Sequence, residues 1–245
     1  MPGWTFELPA IPARPRRVLL FIAMRSEAEP VARAIGAASG LSGGIARVGD
    51  ATVELLVPGA DPVLGVDRLG PVHAASALAR AFAASKPDLV VNVGTCGGFQ
   101  SQGLGIGDLV VARDTMFHDA RVALPGFDAL VRAHTRLSPS ETQLGQMAAQ
   151  LGARIGLASS GSSLDATADE RALFAQAKTL AKDMELAALA VVCRESGVSL
   201  AALKGVTDLV DHHEPAQEAF LRNLARTTER IAQATATFIQ TVLGS

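Results

Sequence analysis

Asp88-Leu89-Val90-Val91-Asn92-Val93-Gly94-Thr95-Cys96-Gly97-Gly98-Phe99 is the stretch on which the reading of this chain turns. Leu89, Val90, Val91 and Val93 form a short apolar run rich in β-branched residues, bounded by Pro87 and Gly94. Such a run predicts a strand over 89–93 that is buried on both faces. Two-faced burial belongs to parallel or mixed sheets covered by helices. Gly94, Gly97 and Gly98 then surround Thr95 and Cys96. Glycine lets a main chain approach a ligand closely or take positive φ, and open α/β sheets bind ligands at the carboxyl ends of their strands. For one glycine-rich loop, a tight turn without a ligand is an equal alternative.

On either side, strand-like and helix-like segments alternate. Residues 18–24 (Val-Leu-Leu-Phe-Ile-Ala-Met) predict the first strand. A helix follows over 26–35, with Ser26 and Glu29 at capping-box spacing and Gly36 to end it. Residues 45–57 alternate around Gly49-Asp50 as a hairpin does. Helices are expected at 71–85, 140–151, 167–177, 185–196 and 216–243, and further strands at 107–112, 153–159, 179–183 and 198–206. Residues 118–139 show no periodicity and read as an ordered loop long enough to suspect function. Residues 1–16 carry Pro2, Pro9, Pro12 and Pro15 and read as an irregular lead-in, with Trp4 and Phe6 free to dock. The expected fold is α/β, a three-layer αβα domain over 17–245 with a central mixed, mostly parallel sheet.

Composition narrows the function. The 245 residues are 49% hydrophobic and 19% charged, an ordinary globular balance. A formal net charge of −2 gives no electrostatic case for nucleic acid or anionic membrane as partner. Cys96 and Cys193 form no disulfide framework, and neither a signal peptide nor a run able to span a bilayer is visible. A cytoplasmic protein is the expectation.

Four acids fall near predicted strand ends: Glu27, Asp183, Glu185 and Asp208. With parallel strands these ends converge on one rim, where desolvation raises a carboxyl pKa and suits it to acid or base work near neutral pH. Singly, each has a plain structural reading as a helix-start or loop-capping carboxylate; together the functional reading is the better one. Asp208, Asp211, His212, His213 and Glu214 lack any spacing that sets metal ligands on one face, so no metal is assigned. His118-Asp119 has no nucleophile. Cys96 has no base or resolving thiol beside it. The glycines do not fit G-x-G-x-x-G, and no Walker lysine follows.

Ala23-Met24-Arg25-Ser26-Glu27, Asn92 to Phe99, Asp183-Met184-Glu185 and Lys204-Gly205-Val206-Thr207-Asp208-Leu209-Val210-Asp211 occur in that order, with Phe117-His118-Asp119 and Ser163-Leu164-Asp165 between them. From about residue 18 onward the chain resembles the nucleoside phosphorylase superfamily and, within it, the plant-type 5′-methylthioadenosine/S-adenosylhomocysteine nucleosidases. The resemblance implies hydrolysis of the N-glycosidic bond between adenine and a 5′-thio-substituted ribose, without a cofactor. It implies Glu27 as the base that activates water and Asp208 as the acid on N7 of the leaving adenine. It puts Glu185 on the ribose hydroxyls, Met184 against the sugar, Thr95 and Gly97 along sugar and base, and the main chain at Leu164 and Asp165 on the adenine edge. Breaking the C1′–N9 bond builds an oxocarbenium-like sugar, so a carboxyl on each side makes chemical sense, and Glu185 is expected to stay ionised beside the developing cation.

The resemblance further implies a homodimer whose neighbouring subunit closes part of the 5′ pocket. The loop from Phe117 to Phe127 is the candidate contact, and Phe220, Leu221, Leu124 and Phe127 are candidate apolar walls for a methylthio group. Leu186, Ser162 and Ala166 depart from the family pattern. Three other readings stay open on sequence: a purine nucleoside phosphorylase, to which Arg25 would contribute, a futalosine-type nucleoside hydrolase, and a non-catalytic nucleoside-binding protein.

Overall fold

A computed structural model describes residues 5–37 and 44–244. Its strands are β1 (Thr5–Glu7), β2 (Arg17–Phe21), β3 (Ile45–Val48), β4 (Ala51–Leu56), β5 (Leu89–Gly98), β6 (Leu109–Phe117), β7 (His134–Arg136), β8 (Arg154–Ser160), β9 (Ala181–Asp183) and β10 (Ser199–Leu209). Its helices are α1 (Arg25–Ala34), α2 (Pro71–Ala84), α3 (Phe127–Val131), α4 (Glu141–Leu151), α5 (Ala168–Ala177), α6 (Leu186–Ser196) and α7 (Ala216–Leu243).

All ten strands join one mixed sheet, ordered β1-β7-β6-β8-β9-β5-β2-β4-β3, with β10 paired to both β5 and β6. Because β10 bridges these two, strands β6, β8, β9, β5 and β10 close on one another. The β5, β2 and β4 neighbours are parallel, as are β5 with β10 and β6 with β8, whereas β10 with β6 and β5 with β9 are antiparallel. The expected α/β mixed sheet is therefore present.

Alternation along the central strands explains its two-sided cover. Val18, Leu20 and Ile22, with Leu89, Val91 and Val93, face a core shared with Val31 of α1, Leu144 of α4 and Phe238 of α7. Leu19, Phe21 and Val90 face the opposite core, with Leu78 of α2 and Leu189 of α6. Side chains one apart on a strand point to opposite faces, so a strand covered on both sides reads as a continuous apolar run. That is why 89–93 was legible.

Several boundaries differ from the sequence expectation. The strand at 89–93 does not stop at Gly94 but runs through the glycines to Gly98, held by β10 on one edge and β9 on the other. None of Gly94, Gly97 and Gly98 has positive φ; their role is close approach. The lead-in contains β1, which lies parallel on β7, while Phe6 carries the Arg194 guanidinium over its ring at 4.1 Å. Trp4 lies outside the described residues. The 107–112 strand extends to Phe117, and the expected loop at 118–139 contains α3 and β7. The first helix is capped at Met24 and not Ser26, with Glu27 at its third position. The strand at 198–206 continues to Leu209, which puts Asp208 inside β10 and not in a loop after it. Among the described residues, no helix is long and apolar enough to cross a membrane.

Candidate active site

A cavity of about 210 Å³ opens where β2, β5, β9 and β10 end, and its wall includes Glu27, Asp183, Glu185 and Asp208. Each of the four is held by a different local device.

Glu27 stands in the first turn of α1 and is buried. Its Oε1 accepts from the Thr95 amide and from the Thr95 hydroxyl, both at 2.7 Å. A Cβ on Gly94 would come within 3.4 Å of its Oε2. Burial pushes the Glu27 pKa up, against the pull of the Thr95 bonds.

Asp208 is positioned by a bulge. The β5–β10 register runs evenly to Val206 opposite Cys96, then Asp208 stands opposite Gly97, so Thr207 is the extra residue. Bulges re-aim side chains and recur beside active sites. Gly97 makes the room: a Cβ there would lie 2.9 Å from Asp208 Oδ2 and 2.7 Å from Val210 Cγ2. The Thr207 hydroxyl lies 2.9 Å from Asp208 Oδ1 and 3.1 Å from the Cys96 carbonyl oxygen. It can donate to the carboxylate, or turn to the carbonyl and accept from the carboxylic acid. Burial raises the Asp208 pKa.

Glu185 stands at the N-cap position of α6 without bonding that helix through its side chain; its Oε1 accepts from the Gly70 amide at 2.9 Å. Burial and then the nearby Asp183 push its pKa up to about 7, against the opposing pull of Lys204. The expectation of a firmly ionised Glu185 thus meets a contrary force, burial beside Asp183. Asp183 is engaged elsewhere: its Oδ2 lies 2.6 Å from the Lys204 ammonium, and it accepts from the Ser160 hydroxyl and the Leu186 amide. Burial works against the Lys204 charge, but Asp183 and Glu185 outweigh it and raise its pKa.

Buried acids thus gather around one cavity of the mixed sheet, with the glycine strand β5 opening space between them. Residues 17–240 match the model described as the phosphorylase superfamily. The chain belongs to that superfamily. It is 39% identical over 222 residues to the 5′-methylthioadenosine nucleosidase of Arabidopsis thaliana, covering 86% of this chain and 81% of the relative. It is 34% identical over 196 residues to the 5′-methylthioadenosine/S-adenosylhomocysteine nucleosidase of the same plant, covering 80% and 75%. The solved apo structure of Arabidopsis thaliana 5′-methylthioadenosine nucleosidase aligns with a TM-score of 0.86 at 31% identity, over 95% of this chain and 98% of that one.

In this phosphorylase-superfamily chain, Thr95, Gly97, Leu164, Met184, Glu185 and Phe220 join Glu27 and Asp208 in the cavity wall. Asp165 lines an adjoining groove with Ala166, His212, His213 and Glu214, a groove that meets the cavity wall at Leu164. The other apolar candidates lie apart. Leu221 points to solvent, Leu124 and Phe127 are more than half exposed, and Phe117 lines a separate apolar groove with Phe6 and Leu130. None of those four lines the cavity. Of the departures from the family pattern, Leu186 is fully buried in the core beside α2 and the Ser162 amide donates to Asp119. Ala166 packs on the cluster of Phe99, Phe174 and Val210.

Residues set aside on sequence have structural places. His118 bonds the Ser159 hydroxyl through Nδ1 and packs edge-on to Phe174. Asp211 accepts from the Gln100 and Ser101 amides, and Glu214 pairs with Arg222. Burial pushes the Cys96 thiol far up, away from reactivity. Sequence reasoning missed Lys182, Lys204, Asn92 and Leu69 in the wall. A lysine inside an apolar strand was the available signal for Lys204, since buried lysines need a partner.

Proposed function

We propose that this chain is a nucleoside hydrolase that cleaves the N-glycosidic bond of 5′-methylthioadenosine, giving adenine and 5-methylthioribose. The observation that carries the reading is the set of three buried carboxyls, Glu27, Glu185 and Asp208, in the wall of one cavity. Asp208 protonates N7 of the base while the C1′–N9 electron pair leaves with the purine. Glu27 takes a proton from water as its oxygen bonds to C1′. Their raised pKa values suit both groups to proton transfer near neutral pH. Glu185 holds the ribose hydroxyls, whose bonds favour its ionised form, and Met184 packs on the sugar. Both relatives from Arabidopsis carry nucleosidase names, in agreement with this chemistry.

Phosphorolysis fits less well. A phosphate site calls for a free arginine fork, yet Arg25 is committed to Asp67 through Nε at 2.5 Å and its main-chain amide at 3.1 Å, and its Nη2 donates to the Gly65 carbonyl. The cavity wall contains no arginine among the described residues. A carboxylate at Glu27 would also repel the anion.

The working form in this reading is a cytoplasmic homodimer. Val72 and Leu130 are exposed and line one apolar groove with Phe6 and Phe117, and Leu124 and Phe127 are exposed on the nearby chain segment; apolar side chains left in water suit a face covered by a second copy. Leu124 and Phe127, remote from their own cavity, then serve the partner's 5′ pocket. Incubating the purified protein with 5′-methylthioadenosine and separating the products by chromatography tests the activity. Adenine release that disappears in Glu27→Gln is expected, and a wild-type protein that releases no adenine would end the reading.

A further inference from the structure

Two lysines are buried at the cavity, and they are held differently. Lys204 is ion-paired with Asp183. Lys182, in the middle of β9 and 4% exposed, donates instead to two main-chain carbonyls, those of Ser163 and, at 3.1 Å, Leu164. Among the described residues, no carboxylate lies within ion-pair distance of its ammonium. An ammonium is costly to bury against neutral acceptors alone, and burial lowers the Lys182 pKa.

Two consequences follow from that placement. The first is mechanical: the ammonium ties the 163–164 main chain down onto β9, and Leu164 is part of the cavity wall. The second is electrostatic. Lys182 of β9 and Asp208 of β10 stand opposite the same Gly97 of β5, one on each edge, and both line the cavity; the charge also bears on Asp183 of β9 itself, Glu170 on α5, Asp165 in the loop before α5 and His118 just past β6. Asp183 already has Lys204. Asp208 has no ion pair of its own among the described residues; burial raises its pKa, and the Thr207 hydroxyl and the Lys182 charge pull the other way.

We propose that Lys182 is the positioning residue for the departing base, clamping the 163–164 main chain at the purine edge and holding positive charge opposite Asp208 as that carboxyl gives up its proton. The inference rests on the nucleosidase reading above. A carboxylic acid that must become a buried carboxylate is a poor donor unless a cation stabilises the product. Lys182 provides the cation without neutralising Asp208 beforehand, because its hydrogen bonds are spent on carbonyls.

The test compares wild type, Lys182→Met and Lys182→Arg in adenine release from 5′-methylthioadenosine across pH. In Lys182→Met the clamp and the charge are both lost. KM should rise roughly tenfold, and the alkaline limb of kcat/KM should move to higher pH by about half a unit or more, because Asp208 holds its proton longer without the cation. Lys182→Arg keeps a cation within reach of the carbonyls and should restore both. A folded Lys182→Met with unchanged KM and an unmoved limb would overturn the proposal, as would an arginine variant as impaired as the methionine one. Should methionine prevent folding, Lys182→Gln, neutral but still a donor, must show the same limb shift. Wild-type protein that releases no adenine defeats the nucleosidase reading itself, before any variant is compared.

Discussion

At the scale of single residues, the site depends on two acids placed by small neighbours. If Asp208 protonates the base, Asp208→Asn lowers kcat by roughly a hundredfold or more and leaves KM nearly unchanged, since general acids contribute about that much. Near-normal turnover of the asparagine variant would remove Asp208 from the role. Gly97→Ala should be almost as damaging without touching a titratable group. Its Cβ would overlap the Asp208 carboxylate at 2.9 Å and Val210 at 2.7 Å, so kcat falls while the protein still folds; full activity in the alanine variant would show that Asp208 has slack. The acids were legible because they follow apolar runs, where a charge is conspicuous. Lys204 was conspicuous in the same way, but its role and that of Lys182 were not legible, because these depend on their partners, two carbonyls and one carboxylate, all distant in sequence.

Elements that pack on both faces were the legible ones. The apolar runs of β2, β5 and β10 announce themselves, since burial on both faces favours apolar residues along most of a strand, and α7 does so by its length and its one buried face. The bulge at Thr207 leaves no comparable trace: Val206-Thr207-Asp208 reads as a strand end, and only pairing with β5 reveals the added residue. Nor do the three-residue β1 and β7, which are too short to show a period. The buried Lys204–Asp183 pair fastens β10 to the end of β9 at 2.6 Å. Lys204→Met strips Asp183 of its cation inside the protein and should cost about 3–5 kcal/mol, the usual penalty for leaving a buried charge unpaired. Denaturant unfolding measures it, and a loss below 1 kcal/mol would mean the pair behaves as a surface ion pair does.

For the molecule as a whole, the site works against stability. Burial raises Glu185 from 4.5 to about 7, so the folded state binds its proton more tightly than the unfolded chain does. Its stabilising contribution is complete below about pH 4.5 and is lost as pH rises to about 7. Glu185→Gln, locked in the neutral form, should therefore make the ligand-free protein more stable at pH 8 by roughly 1–3 kcal/mol and much less so at pH 5. An equal difference at both pH values would place the effect outside this titration. On the substrate side, His212, His213 and Glu214 face the adjoining groove and stay out of the cavity wall. 5′-Methylthioadenosine is accordingly expected to be the better substrate by about tenfold in kcat/KM, and equal values for the two nucleosides would speak for an open pocket.

That water, and not phosphate, attacks the sugar is the claim on which the rest depends. Its most direct measurement is the rate of adenine release from 5′-methylthioadenosine as inorganic phosphate is raised from none, with the sugar product identified. With Arg25 tied to Asp67 and Glu27 facing the cavity, release should be full without phosphate, unaffected by adding it, and accompanied by free 5-methylthioribose. Release that requires phosphate and yields the sugar 1-phosphate would contradict it.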